Sequence, residues 1–382
     1  MEQKLPDPRT IVHYLEELPD PRVKRTQRHK LIDVLVIGLC SILSGGEGFN
    51  DMELFATVRF QWLKTFLEIP GGIPSHDTFN RIFSALDPRH FLHCFVRWVQ
   101  ETCPAVTGDV IAIDGKALRR ALDDGASIPY IVSAWASENG LVLGQVKVDD
   151  KSNEITAIPE LLEVLDLHET IVTIDAMGCQ KDIAAQIVDK EADYVLALKG
   201  NHATIHKEVE EFFADAVPPC STHPAPTVTP GTMDFIQTVD KDHGRIETRR
   251  YWQSNDIDWM EDKKYWKDLT TVGMVETIRR IKGKSAIERR YFLASVSLDA
   301  TIFAKAVRGH WGVENPLHWS LDVTFNEDQS RARSKNAAQN LATLRRIALN
   351  LIKQNPRKKV SQRQKRILAA LDTSFLEQLL GI

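Results

Sequence analysis

The chain has 382 residues, a formal net charge of −4 and a hydrophobic fraction of 43%, enough for two or three domains with ordinary cores. Its five cysteines (Cys40, Cys94, Cys103, Cys179 and Cys220) are scattered and never spaced as CxxC, which argues against a disulfide framework and a zinc site and fits a reducing cytoplasm. The polar start Met1-Glu2-Gln3-Lys4-Leu5-Pro6 carries no apolar leader, and the run Leu31 to Leu43 contains Asp33 and is shorter than the ~20 residues a bilayer span needs. A cytoplasmic protein with no membrane partner is expected.

Residues 1–104 read as a helical N-terminal domain, broken at Gly45-Gly46-Glu47-Gly48 and Pro70-Gly71-Gly72. A basic run of Arg22, Lys24, Arg25, Arg28, His29 and Lys30 precedes the first apolar helix; it reads either as a solvated helix entry or as a phosphate contact. Ser75 and Asp77 suit a helix start, and Phe79, Ile82 and Phe83 follow at helical spacing. After a Gly-rich turn this helix is either an ordinary packed one or the second helix of a helix-turn-helix.

From Asp109 the period changes. Val110-Ile111-Ala112-Ile113 ends in Asp114, followed by Gly115 and Lys116, the pattern of a buried strand with an acid at its C-terminal end. Tyr130 to Ser137 and Leu141 to Val148 flank Asn139-Gly140, a hairpin signal. A helix over 153–165, a second acidic strand ending at Asp175, a helix over 180–190, a strand over 193–198 and a helix over 202–213 follow. This order predicts an α/β fold of ribonuclease-H-like layout, a mixed sheet in which the strands carrying Asp114 and Asp175 lie side by side. Open α/β sheets place functional groups at such strand ends. The catalytic domain is set at 105–330, with a β-rich insertion over about 217–298 that opens on a Pro- and Thr-rich loop. Within it, the turn His243-Gly244-Arg245 leads a charged strand that reads either as a surface hairpin or as a face toward nucleic acid.

A helix over 300–311 leads to Glu314, flanked by Trp311 and followed by His318 and Trp319. The final segment, 331–382, is expected to be a basic helical tail. Between Gln329 and Leu371 there is no Asp or Glu but there are twelve cations, among them Arg331, Arg333, Arg345, Arg346, Lys365 and Arg366. Such a one-signed stretch suggests phosphate-backbone binding over a merely solvated face.

Three acids converging on one point would suit a hard divalent cation, and two such ions can activate an attacking oxygen and stabilise a leaving one. The plainer alternative is that each strand-end Asp only caps the next element. Lys116, Arg119 and Arg120 follow the first acid, while Lys199 and Asn201 follow a strand on the same sheet edge. All could contact phosphates.

The stretches Ile113-Asp114-Gly115-Lys116, Ile174-Asp175-Ala176-Met177-Gly178 and Trp311-Gly312-Val313-Glu314-Asn315, with Leu317-His318-Trp319-Ser320-Leu321-Asp322-Val323, resemble a DDE insertion-sequence transposase. More narrowly, the chain resembles the branch containing the H-repeat-associated proteins of bacterial Rhs elements, over nearly its whole length. The resemblance implies strand cleavage and transfer dependent on Mg²⁺ (or Mn²⁺) at the ends of a mobile element, with Asp114, Asp175 and Glu314 as catalytic and metal-binding triad. It implies double-stranded DNA, element ends and target, as partner, and pairing of two ends makes a homodimer the natural active form. One departure stands out. Related transposases frame the glutamate with Tyr, two residues, Arg, three residues, Glu, six residues, Lys; here those places hold Val307, His310, Glu314 and Leu321. Arg308, His310 and His318 are the candidates to take over the phosphate contacts, and Trp311 or Trp319 to stack on an unpaired base. Asp322 is set below the triad as an aid to the metal site or the partner of a base. The rival readings are a nuclease that cuts without joining and a catalytically silent DNA-binding remnant of a mobile element.

Overall fold

The structure is a computed structural model that describes residues 10–103, 106–121, 128–148, 153–217, 231–242, 245–281, 284–357 and 359–382. Six helices come first: α1 Ile11–Glu16, α2 Leu31–Leu43, α3 Phe49–Val58, α4 Phe60–Leu63, α5 His76–Ala85 and α6 Pro88–Thr102. The apolar run of α2 is buried on all sides, as expected of a central helix rather than an amphipathic one. Its one charge, Asp33, is also buried and accepts the Ile69 backbone N–H at 2.9 Å. Ser75 caps α5 by accepting the Thr78 N–H, and Asp87 caps α6, whose first residue is Pro88.

Nine strands follow among the described residues: β1 Val110–Ala117, β2 Tyr130–Ala136, β3 Leu141–Val148, β4 Ile171–Ile174, β5 Asp193–Leu198, β6 Met233–Asp242, β7 Arg245–Ser254, β8 Thr271–Ile281 and β9 Lys284–Ala294. They form one mixed sheet in the order β3-β2-β1-β4-β5-β9-β8-β7-β6. β1 pairs antiparallel with β2 and parallel with β4, and β4 pairs parallel with β5. The first five strands therefore have the ribonuclease-H-like layout. The hairpin at Asn139-Gly140 is present, with Gly140 at φ +66°. The strands of the β-rich segment do not form a sheet of their own: β9 pairs antiparallel with β5, so β9, β8, β7 and β6 extend the central sheet. Residues 218–230 of the Pro-rich loop and the turn at 243–244 lie outside the described residues.

Helices α7 Glu154–Val164, α8 Lys181–Asp189 and α9 Ala203–Ala216 connect these strands. After the sheet come α10 Ala300–Gly312, a π-helical segment Val313–Thr324, and α11 Ala337–Gln354, α12 Gln362–Leu371 and α13 Thr373–Leu380. One hydrophobic core joins α2, β1, β4 and α11. Here the expectation of a phosphate-binding tail is corrected in part. Arg345, Arg346, Lys365 and Arg366 are buried. Lys365 donates to the Ile352 and Asn355 carbonyls and Arg366 to the Ile42 and Gly46 carbonyls, so these cations close helix ends inside the protein. Arg331, Arg333, Lys335, Arg357, Lys359 and Arg363 remain exposed.

Candidate active site

Asp114 lies toward the C-terminal end of β1, opposite Ser133 of β2. Asp175 directly follows β4, the parallel neighbour of β1. It also caps the 3₁₀ turn Ala176–Gly178, its Oδ1 accepting the N–H of Met177 at 3.1 Å and of Gly178 at 3.4 Å. Capping and presentation are thus compatible: one oxygen fixes the side chain that the strand end presents. Glu314 is brought across by α10, which is pressed onto β1. A Cβ added at Gly309 would stand 2.8 Å from Val110 Cγ1, and Ser137 Oγ donates to the Gly309 carbonyl at 2.8 Å. All three acids line one cavity of about 240 Å³, whose walls include Lys199, Arg290, His310 and Trp311.

A fourth acid stands beside them. Glu154 opens α7, after the cap Asn153, and its Oε1 lies where a Cβ on Gly115 would be only 2.4 Å away, with Tyr130 Cε1 at 2.2 Å. Only glycine lets this carboxylate and ring close over β1 beside Asp114. Burial, then the charges of Asp175, Glu154 and Glu314, push the Asp114 carboxyl up to about 7, against the pull of the Gly115 backbone N–H. Burial also raises Glu154, with Asp175 adding to the rise and a hydrogen bond from the Tyr130 hydroxyl opposing it. Glu154 was not singled out in the sequence, where it resembles any acidic first-turn residue; a spacing of one helix start after the hairpin was its only signal.

Gathered oxygen donors that raise one another's proton affinity have the chemistry that suits a hard divalent cation. Among the described residues, no three His, Cys, Asp or Glu side chains form a group that could hold a metal ion as they stand. The donor types fit, and of the three acids Glu314 is the exposed one.

The remaining candidates separate by position. Lys199 is exposed on the cavity wall. His310 also lines the cavity, its Nδ1 3.1 Å from Thr173 Oγ1, and burial lowers its pKa. His318 sits behind Asp114, Nδ1 to Oδ2 3.8 Å, and burial, then the cations Arg346 and Lys116, push it down to about 4. Lys116 is 7% exposed and pairs with Asp322 and Asp328, each at 2.7 Å, so its charge is consumed internally. The same pair accounts for Asp322. Asn201 is exposed, but its amide donates to the Ala176 carbonyl at 2.6 Å, tying the end of β5 to the Asp175 turn. Arg119 is exposed beside Asp328, and Arg308 stands 3.6 Å from Asp240. Trp319 is 58% exposed, whereas Trp311 lies under two guanidinium groups, Arg290 at 5.1 Å and Arg249 at 5.9 Å. Arg331 and Arg333 line a different groove of about 560 Å³, together with His76, Asp77 and Asn80 of α5.

Residues 12–99 match the family described as "DDE_Tnp_1-associated", and residues 107–351 match "Transposase DDE domain". The chain is 40% identical over 378 residues to "Putative transposase YncI" of Escherichia coli O157:H7, covering 97% of this chain and 94% of that protein. It is 37% identical to "H repeat-associated putative transposase YhhI" of Escherichia coli (strain K12), covering 97% of each. Among solved structures, a cryo-EM structure of piggyBac transposase in a synaptic complex with hairpin DNA aligns over 97% of this chain and 78% of that one, at 13% identity and a TM-score of 0.45. No helix among the described residues is long and apolar enough to cross a membrane. With Asp114 and Asp175 at the ends of the neighbouring strands β1 and β4 and the DDE domain matched from end to end of the sheet, the chain belongs to the DDE transposases, in the H-repeat-associated branch.

Proposed function

We propose that the protein cleaves DNA strands at the ends of an insertion-sequence-like element and joins them to target DNA, with Asp114, Asp175 and Glu314 as its catalytic acids. The observation that carries this reading is the placement of Asp114 and Asp175 on adjacent parallel strand ends, with Glu314 in the same cavity. Asp114 and Asp175 would hold a divalent cation, Mg²⁺ or Mn²⁺, and Glu314 would close on it from the π-helical segment. Such a cation supplies Lewis-acid activation of the attacking oxygen and neutralises charge on the leaving one. In the first reaction a water oxygen attacks the phosphodiester and the bond to the 3′ oxygen breaks, freeing a 3′-hydroxyl. In the second that hydroxyl attacks a target phosphodiester, and the new bond to phosphorus forms as the target's own bond from phosphorus to its 3′ oxygen breaks, releasing a 3′-hydroxyl on the target strand.

The residues of the chain position these partners. Lys199 is exposed on the cavity wall, and we assign it a contact to the scissile strand. Burial lowers the proton affinity of His310, and its contact with Thr173 ties α10 to β4, the strand that leads to Asp175. Arg119, Arg308, Arg331, Arg333 and Trp319 are exposed, and we assign DNA contact to them. His318 is assigned to the support of Asp114. Lys116 is left out because its ammonium is paired within the protein, and Asn201 because its amide nitrogen is bound to the Ala176 carbonyl. The groove shared by Arg331, Arg333 and the start of α5 makes that helix the favoured DNA-facing element of the N-terminal region. Two ends must be paired, so we expect a homodimer when active.

Calorimetry with Mg²⁺ or Mn²⁺ tests the site directly. Binding that is lost in Asp175→Ala, together with loss of joining when pre-cleaved ends are supplied, is the expected result. Equal binding in both proteins would remove the acids from the role given them, and cutting without any joined product would reduce the enzyme to a nuclease.

A further inference from the structure

Arg290 belongs to β9, opposite Val275, on the face of the sheet extension that lines the acid cavity. Its neighbours on the extension have their charges answered within the sheet. Buried Glu276 takes Arg250 at 3.4 Å and Arg289 at 2.9 Å, and buried Glu247 takes Arg245 at 3.0 Å, Arg249 at 2.7 Å and Arg279 at 3.4 Å. Arg290 differs. Among the described residues its one ion pair is a long one, Nε to Glu288 Oε1 at 3.9 Å, and its Nε is buried with no hydrogen-bond partner. The guanidinium carbon lies over the Trp311 ring, 5.1 Å from the centroid, a contact that uses none of its donors. Although it shares the cavity with Asp114, Asp175 and Glu314, it forms no ion pair with any of them among the described residues.

A half-buried guanidinium whose one ion pair is long and whose Nε has no partner is suited to receive an anion from outside the protein. A planar fork matches the two non-bridging oxygens of a phosphodiester, and an aromatic shelf is a usual support for it. We infer that Arg290, held on Trp311, binds the phosphate of the DNA strand being cut and positions it against the three acids. The inference rests on the cavity being the phosphodiester-cleaving site. It names a residue outside the acid triad and outside the segment around Glu314, and it assigns the sheet extension a part in substrate binding. In this role Arg290 is a substrate-contacting group, and Trp311 is a positioning residue that acts through it.

The test compares wild type, Arg290→Met, Arg290→Lys and Asp175→Ala. Supercoiled plasmid nicking in Mn²⁺ reads activity, and binding of a short mixed-sequence DNA duplex at several salt concentrations reads phosphate contacts. Arg290→Met is expected to nick about 100-fold more slowly, in keeping with loss of one oriented donor group. Its plot of log affinity against log salt should be shallower by about one contact, with Mn²⁺ binding by calorimetry unchanged. Arg290→Lys should restore the salt slope but only part of the rate, since an ammonium supplies charge without the fork. Wild-type nicking with wild-type slope in Arg290→Met overturns the inference and leaves the cavity reading standing. Wild type that nicks no better than Asp175→Ala sinks the cavity reading, and the inference with it.

Discussion

The Arg346 guanidinium meets the Glu327 carboxylate at 2.9 Å with neither side chain exposed to solvent. The pair links α11 to the segment just beyond Thr324, and Lys116 reaches the same carboxylate at 3.7 Å. It is therefore a brace between α11 and β1, the strand that carries Asp114.

Arg346→Ala would leave Glu327 in the interior without its hydrogen-bonded partner, with only the charges of Arg345 and Lys116 nearby. Breaking a buried pair from one side costs about 3–5 kcal/mol, whereas exchanging both partners for apolar residues is often near neutral. Urea unfolding should show that loss for Arg346→Ala and recovery of most of it in the double variant Arg346→Met, Glu327→Leu. A loss below about 0.5 kcal/mol, the range of surface changes, would mean that the pair is solvated.

Gly115→Ala forces a methyl group into Tyr130 and Glu154. Overpacking of this kind costs about 1–3 kcal/mol, and the movement that relieves it displaces Glu154 from beside Asp114. The thermal midpoint should fall and Mn²⁺ affinity with it, while Gly200→Ala, where an added Cβ meets nothing within 4 Å, should leave the midpoint in place. An unchanged midpoint in Gly115→Ala would contradict the close approach.

The acid cluster also sets a pH dependence. The Asp114 carboxyl is pushed up to about 7 from an ordinary 3.8, so between those values the native state holds a proton that the unfolded chain has lost. Stability of the metal-free protein then falls as pH rises through that window. Asp114→Asn should remove that fall, so that its midpoint at pH 8 gains on its midpoint at pH 5 relative to wild type. Added Mn²⁺ should raise the wild-type midpoint most at the higher pH, where the site is ionised and binding stabilises the native state. His318, pushed down to about 4 from an ordinary 6.5, works in the opposite sense: between those values the unfolded chain takes up a proton that the native state refuses, so its contribution to stability rises with pH and opposes that of Asp114. A wild-type slope retained in Asp114→Asn would assign the effect elsewhere.

Much of the site was legible because its acids sit where pattern and period coincide. Val110 to Ile113 and Ile171 to Ile174 are continuous β-branched or apolar runs that stop at Asp, and the strand order followed from the hairpin at Asn139-Gly140 and the helices between. The tail was harder: a run of cations looks the same whether its members face water or, like Arg366, end on the Ile42 carbonyl from a distant helix. The surroundings of Glu314 were harder still, because spacing rules assume 3.6 residues per turn. Val313–Thr324 is π-helical, a wider turn, and it sets His318 against Asp114 while Leu321, at the place of the family's lysine, is fully buried. Arg290 was hidden among the many arginines of the extension; only the register that puts it over Trp311 separates it from Arg289 beside it. The sheet's continuity was invisible as well, since nothing local to β9 names β5 as its partner.

That shared ladder between β5 and β9 makes the two halves of the chain interdependent in a way that a hinged module would not be. Cutting the polypeptide between 217 and 231 leaves one piece ending its sheet at β5 and the other beginning at β9, each with a raw row of backbone donors and acceptors. Such edges recruit other strands, so either piece made alone is headed for aggregation, while the two made together have each other's edge as the best-matched partner and can reassemble by fragment complementation.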